Sequence, residues 1–188
     1  MQMPELKEKL EFYVCEDYAR DYHNDQIVEI AKIVDTNSST DVLFVFYDKN
    51  AYTKYNYHMA AGLFDESGIP SIMIDDEHKD LLYDRPKVFY ALMLHELGHY
   101  RNGDLEEMAE RSTQSVLRER RQQLEAGKVF EPELNADAFA VNHVGKSTMI
   151  QAIDYMIKKR KERKNDPVKE LSLKEFELRK KAISRMKI

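Results

Sequence analysis

Two histidines and a glutamate stand together in His95-Glu96-Leu97-Gly98-His99. On a helix, residues four apart project from one face at neighbouring heights, so the two imidazoles can converge on one metal ion. Val88, Ala91 and Leu92 continue that face toward the N-terminus, which turns the histidines to the interior. Zinc bound by nitrogen at about 2 Å needs this convergence. Glu96 follows His95 directly and is displaced around the helix by about 100°. A carboxylate there can reach a metal-bound water while leaving the ligand positions to the histidines. Zinc brings such a water's pKa toward about 7, and the glutamate takes its proton as general base. Zn2+ is therefore the expected cofactor. Two histidines and a carboxylate buried together without a metal would be poorly satisfied.

A catalytic zinc usually has three protein ligands and one open position. A metzincin would place glycine three residues and histidine six residues after the second histidine; here those positions are Asn102 and Leu105, which excludes that class. The third ligand is expected at Glu133, within Glu133-Leu134-Asn135-Ala136-Asp137-Ala138-Phe139-Ala140, with Glu131 as the neighbouring alternative. Asp137 lies one turn further and is expected to accept the free N–H of a ligand histidine, fixing its tautomer. Small Ala136 and Ala140 would let this helix approach the first. Candidates for stabilising an oxyanion are His143, Tyr100 and Arg179. His23, His58 and His78 have no partner pattern and read as surface or loop histidines.

The stretches H-E-L-G-H-Y-R-N-G-D and E-L-N-A-D-A-F-A-V resemble the gluzincin metallopeptidases, especially the soluble catalytic core of the HtpX and CAAX-prenyl-protease family. The resemblance runs from about Met59 to the C-terminus, and residues 1–50 carry none. It implies zinc ligands at His95, His99 and Glu133, Glu96 as base, and Asp137 behind the ligands. It also implies that a strand at 71–75 borders the cleft and pairs with an extended peptide. The family's threonine-histidine-proline signature is replaced by Glu170-Leu171-Ser172. ImmA/IrrE-type peptidases, which share H-E-L-G-H and a similar E-x-x-A segment, are similar as well.

The elements that must position these residues read as α+β and zincin-like. A small N-terminal β-sheet is expected to pack on the active-site helix, followed by a mostly helical C-terminal half. The chain, 188 residues long, reads as one metallopeptidase domain, with 1–50 as an N-terminal extension. Residues 4–22 and 25–34 read as amphipathic helices, and 41–47, 59–64 and 71–74 as strands. Asp84 is expected to cap a helix over 85–100. Asp104 and Glu107 have capping-box spacing and open a long polar helix to about Ala126. Glu131-Pro132 starts a helix ending near Gly145, another spans 148–164, and Ser172 with Glu175 opens the last.

Composition bounds the setting. Apolar residues make up 43% and charged ones 34%, ordinary for a helix-rich globular protein. Cys15 is the only cysteine, which excludes internal disulfides and thiolate zinc sites and favours the cytoplasm. The longest apolar run, Val88 to Leu94, is far short of a membrane span. Residues 158–187 hold 13 Lys/Arg and 5 Asp/Glu among helix-period apolar residues, which reads as a solvated helix face rather than a nucleic-acid surface. The expected activity is peptide-bond hydrolysis on a peptide or protein substrate, by a soluble enzyme of endopeptidase type. The alternative is a zinc-containing regulatory or interaction protein with a metallopeptidase-like fold and little or no proteolysis.

Overall fold

The computed structural model describes residues 81–164 and 166–187, the strands at 11–13, 27–34, 41–47, 59–64 and 69–75, and His78. The chain divides into two compact units, Met1–Glu96 and Leu97–Ile188.

The first unit contains five strands: β1 (Glu11–Tyr13), β2 (Ile27–Val34), β3 (Asp41–Tyr47), β4 (Met59–Phe64) and β5 (Ile69–Asp75). They form one sheet in the order β1-β2-β3-β5-β4, with β3 and β5 parallel and the other pairs antiparallel. Two helices expected near the N-terminus are corrected here, since Glu11–Tyr13 and Ile27–Val34 are strands. The physical reason is in the residues: Ile-Val-Glu-Ile-Ala-Lys-Ile-Val has five β-branched side chains in eight, which are stiff in a helix and fit a pleated surface. The remainder of 4–22 lies outside the described residues. Ile72 and Ile74, two apart on β5, are both fully buried, as expected of a strand with one covered face.

The inner position of β5 corrects a second expectation. Its Leu43–Tyr47 neighbour pairs with one edge and β4 with the other. With both ladders occupied, β5 has no edge to offer an extended peptide.

Six helices follow: α1 (Leu81–Asp84), α2 (Pro86–Asn102), α3 (Asp104–Glu110), α4 (Thr113–Glu125), α5 (Glu131–Glu162) and α6 (Lys169–Arg185). Proline opens α2, where its missing N–H costs nothing. Asp84 ends α1 rather than capping α2; the carbonyl of Arg85 accepts from the Val88 and Phe89 amides instead. Every residue from Val88 to Leu94 is buried, so α2 is an interior helix. It stops at Gly103, whose φ of 74° only glycine adopts without strain.

The α+β, zincin-like fold expectation is contradicted: the described residues from Leu81 on form a helical, bundle-like arrangement. Among the described residues after Asp75 there is no strand, and the second unit is built as helix on helix, in the manner of a bundle. Its buried apolar residues, among them Leu124, Phe130, Ala136, Ala140, Met149, Ile153 and Ile183, all come from helices or their ends. The two helical segments joined at Gly145 within α5 offer α6 a long partner, so apolar stripes close on each other without a sheet. Gly145 (φ 78°, ψ 159°) breaks α5 into two segments, close to the two helices read from the sequence.

Two capping boxes are also corrected. The helix expected from Asp104 to Ala126 is two, α3 and α4, separated at Ser112, whose hydroxyl accepts from the Ser115 amide. The last helix starts at Lys169, so Ser172 and Glu175 lie inside it and turn to tertiary partners: Ser172 accepts from Arg160, and Glu175 from Arg120. No helix among the described residues is long and apolar enough to cross a membrane.

Candidate metal centre

The two histidines ride on α2, one turn apart, and are 5% and 8% exposed, while Glu96 beside them is half-buried. Glu133, in the first turn of α5, is half-buried. One ligand atom from each of His95, His99 and Glu133 lies within 4.8 Å of the others. Ligand atoms on a tetrahedral ion at about 2 Å stand about 3.3 Å apart, so small side-chain rotations suffice to close the set. Two imidazoles and one carboxylate suit zinc better than a hard, all-oxygen cation. The donor set fits that ion.

Close approach of α5 to α2 has a local cause. A Cβ on Gly98 would stand 2.8 Å from the Ala136 Cα and 3.0 Å from its carbonyl oxygen. Glycine on one helix and alanine on the other let the two backbones come this near. Ala136 and Ala140 are both fully buried, in keeping with the small-residue face expected from the sequence.

His99 is oriented by Asp104, which by spacing reads as half of a capping box. Its Nδ1 lies 2.8 Å from Asp104 Oδ2, and both groups are buried. An ionised carboxylate only accepts, so Nδ1 carries the proton and Nε2 keeps the lone pair a metal requires. Asp104 thus does for His99 what was expected of Asp137. The signal available was its position just past Gly103, where the turn ending α2 folds the chain back toward the histidine.

Asp137 is fully buried and bound in both oxygens by Arg179 of α6: Nε donates to Oδ2 at 2.8 Å and Nη2 to Oδ1 at 2.6 Å. Arg179 Nη1 donates to Glu133 Oε2 at 2.8 Å. One guanidinium therefore locks two acidic residues a turn apart on α5, which fixes the rotamer of Glu133. This gives Arg179 a holding part. Burial disfavours its charge, yet Asp137 and Glu133 outweigh that and keep the guanidinium more firmly protonated than usual. A carboxylate has about four lone-pair sites, so Glu133 retains room for a metal.

Glu175 lies behind these residues, with its carboxyl raised above the usual range by burial and by repulsion from Glu133, against the pull of Arg120. Among the described residues three carboxylates (Glu133, Asp137, Glu175) face two guanidiniums (Arg120, Arg179). A cation at the histidines would add to the positive side.

The remaining candidates lie as follows. His143 is exposed, with Nδ1 2.8 Å from the Phe139 carbonyl and its ring 4.5 Å from the Phe139 ring, a local arrangement within α5. Tyr100 is half-buried near the end of α2. Glu131 is exposed at the start of α5. His78, expected at the surface, is fully buried, while His23 and His58 lie outside the described residues. Compared with protein-family models, curated proteins and solved structures, the chain matches none.

Proposed function

We propose that this chain is a zinc-dependent peptidase of the gluzincin type, acting on peptide or protein substrates. The observation that carries the reading is the meeting of His95, His99 and Glu133 ligand atoms within 4.8 Å, with Glu96 next in sequence to the first histidine. A zinc ion held by these three would supply Lewis acidity, easing deprotonation of water and polarising a peptide carbonyl. Everything else falls to the side chains. Glu96 accepts the proton of the attacking water and returns it to the leaving amine. Asp104 holds His99 in the tautomer that presents Nε2. Arg179 and Asp137 keep Glu133 in place as α5 meets α2.

The resemblance to the HtpX and CAAX-prenyl-protease core and to ImmA/IrrE-type peptidases supports the same reaction. The single cysteine is in keeping with a reducing compartment such as the cytoplasm. A purely structural zinc would have no use for the base at Glu96, which weighs against the regulatory alternative. Glu96→Gln keeps the shape but removes the base. It is expected to lower peptide hydrolysis by about 10²- to 10⁴-fold, read on a quenched peptide library, while zinc stoichiometry stays at that of the wild type. Unchanged turnover in this variant would overturn the assignment.

A further inference from the structure

Glu133 is gripped by a second guanidinium. Arg120 of α4 brings Nη2 to 3.1 Å from Glu133 Oε1, the oxygen opposite the one that accepts from Arg179. Arg120 is itself aimed from α6. Its Nε donates to both oxygens of Glu175, at 3.0 and 3.2 Å, and its Nη2 donates to Glu175 Oε2 at 2.5 Å. The Glu175 side chain is only 4% exposed, so the anchor is fixed in the interior while Arg120 reaches in from the edge. A bidentate pair sets the plane of a guanidinium as well as its distance. The terminal torsion of a glutamate, by contrast, is broad and soft when nothing holds it. Grips on both oxygens, from two different helices, remove that freedom. Arg120 and Glu175 also cancel in charge, so together they act on a neighbouring cation through the orientation of Glu133 rather than through their field.

We infer that Arg120, aimed by Glu175, is a positioning residue that holds the Glu133 carboxylate toward the two histidines and thereby sets the affinity and coordination geometry of the bound metal. The inference rests on the reading of His95, His99 and Glu133 as metal ligands. A pair that merely pinned α4 to α6 would affect melting and leave the metal's surroundings unchanged.

The test uses the full chain as wild type, R120Q/E175Q and R120K. The double substitution leaves the net charge unchanged, so it removes the grip without leaving Glu175 as a charge deprived of Arg120. Zn2+ affinity is measured by competition with a chromophoric chelator, coordination by the visible absorption of the Co2+ form, and folding by the metal-free melt. Wild type is expected to bind one ion. R120Q/E175Q is expected to bind Zn2+ about 10- to 100-fold more weakly with displaced Co2+ bands. R120K falls between, because an ammonium keeps the charge but cannot span both carboxylates in a fixed plane. Wild-type affinity and identical Co2+ bands in R120Q/E175Q, with only the melt lowered, would overturn the inference and leave the metal centre standing. Should the double variant fail to fold, R120K decides by the same two readings. A wild-type chain that binds neither Zn2+ nor Co2+ would remove the metal centre itself, and the inference with it.

Discussion

The helical unit buries two arginine–carboxylate clusters, and they are built to different balances. Near the end of α5, Arg160 meets Asp166 at 2.9 Å and donates to the Ser172 hydroxyl at 2.8 Å, one cation to one anion, and this closes the turn between α5 and α6. At the start of α5, two arginines face Glu133, Asp137 and Glu175. Both clusters hold α5 to α6, so holding helices together does not explain the third carboxylate. The third carboxylate lies near two histidines, and a cation bound there would add to the positive side. The first cluster pairs one to one, and the second sets a third carboxylate beside two imidazoles, the arrangement the proposed metal would use.

The strongest way to break this comparison is to remove one arginine from each cluster. Arg179→Met takes from the fully buried Asp137 the guanidinium bound to both its oxygens, and from Glu133 one of its two grips, at an expected cost of about 3–5 kcal/mol. Chemical denaturation with and without zinc would show that this variant has also lost most of its zinc-dependent stabilisation. Arg160→Met should lose stability too, yet keep the full zinc increment, which for wild type is about 2.7 kcal/mol at a free concentration 100 times Kd. Equal zinc increments in the two variants would end the distinction.

Next comes the approach of the two helices. Gly98→Ala puts a methyl group where 2.8 Å separates it from the Ala136 backbone, so α5 must move away. Overpacking of this kind costs about 1–3 kcal/mol. The comparison is sharpened if a metal titration of this variant shows weakened binding while the Arg160 end, followed by amide exchange in α6, is undisturbed. The smallest effect is expected at Asp104. Asp104→Asn keeps a hydrogen bond to His99 but removes the charge and permits the wrong tautomer. Zinc affinity should fall about 10- to 100-fold with little change in the metal-free melt. Identical affinity would show that the His99–Asp104 contact does not serve the ligand.

The difference in legibility follows the same division. His95, Glu96 and His99 can be read from sequence because a helix fixes their relation through spacing alone. Glu133 and Asp137 are readable as a pair for the same reason. Asp104 and Glu175 are misassigned because capping-box spacing is only one local pattern: Asp104 turns back to His99 five residues earlier, and Glu175 turns to Arg120 55 residues away. Arg120 carries no local signal at all: it is one of several arginines on a polar helix, and its partner Glu175 is 55 residues away. The N-terminal helices were misread where β-branched residues obey no helical constraint once a neighbouring strand is present.

By itself, then, the sequence determined the chemistry available: two imidazoles on one helix face, a carboxylate beside them and a second acidic pair on a later helix. Only the tertiary structure decided that β5 lies inside its sheet and that the unit from Leu97 on is helix on helix. It also decided that Arg179 reaches Asp137 across 42 residues and Glu133 across 46. The physical reason is range. Backbone geometry links residues within a turn or two, whereas ion pairs between helices depend on how whole apolar faces pack, which no short spacing encodes.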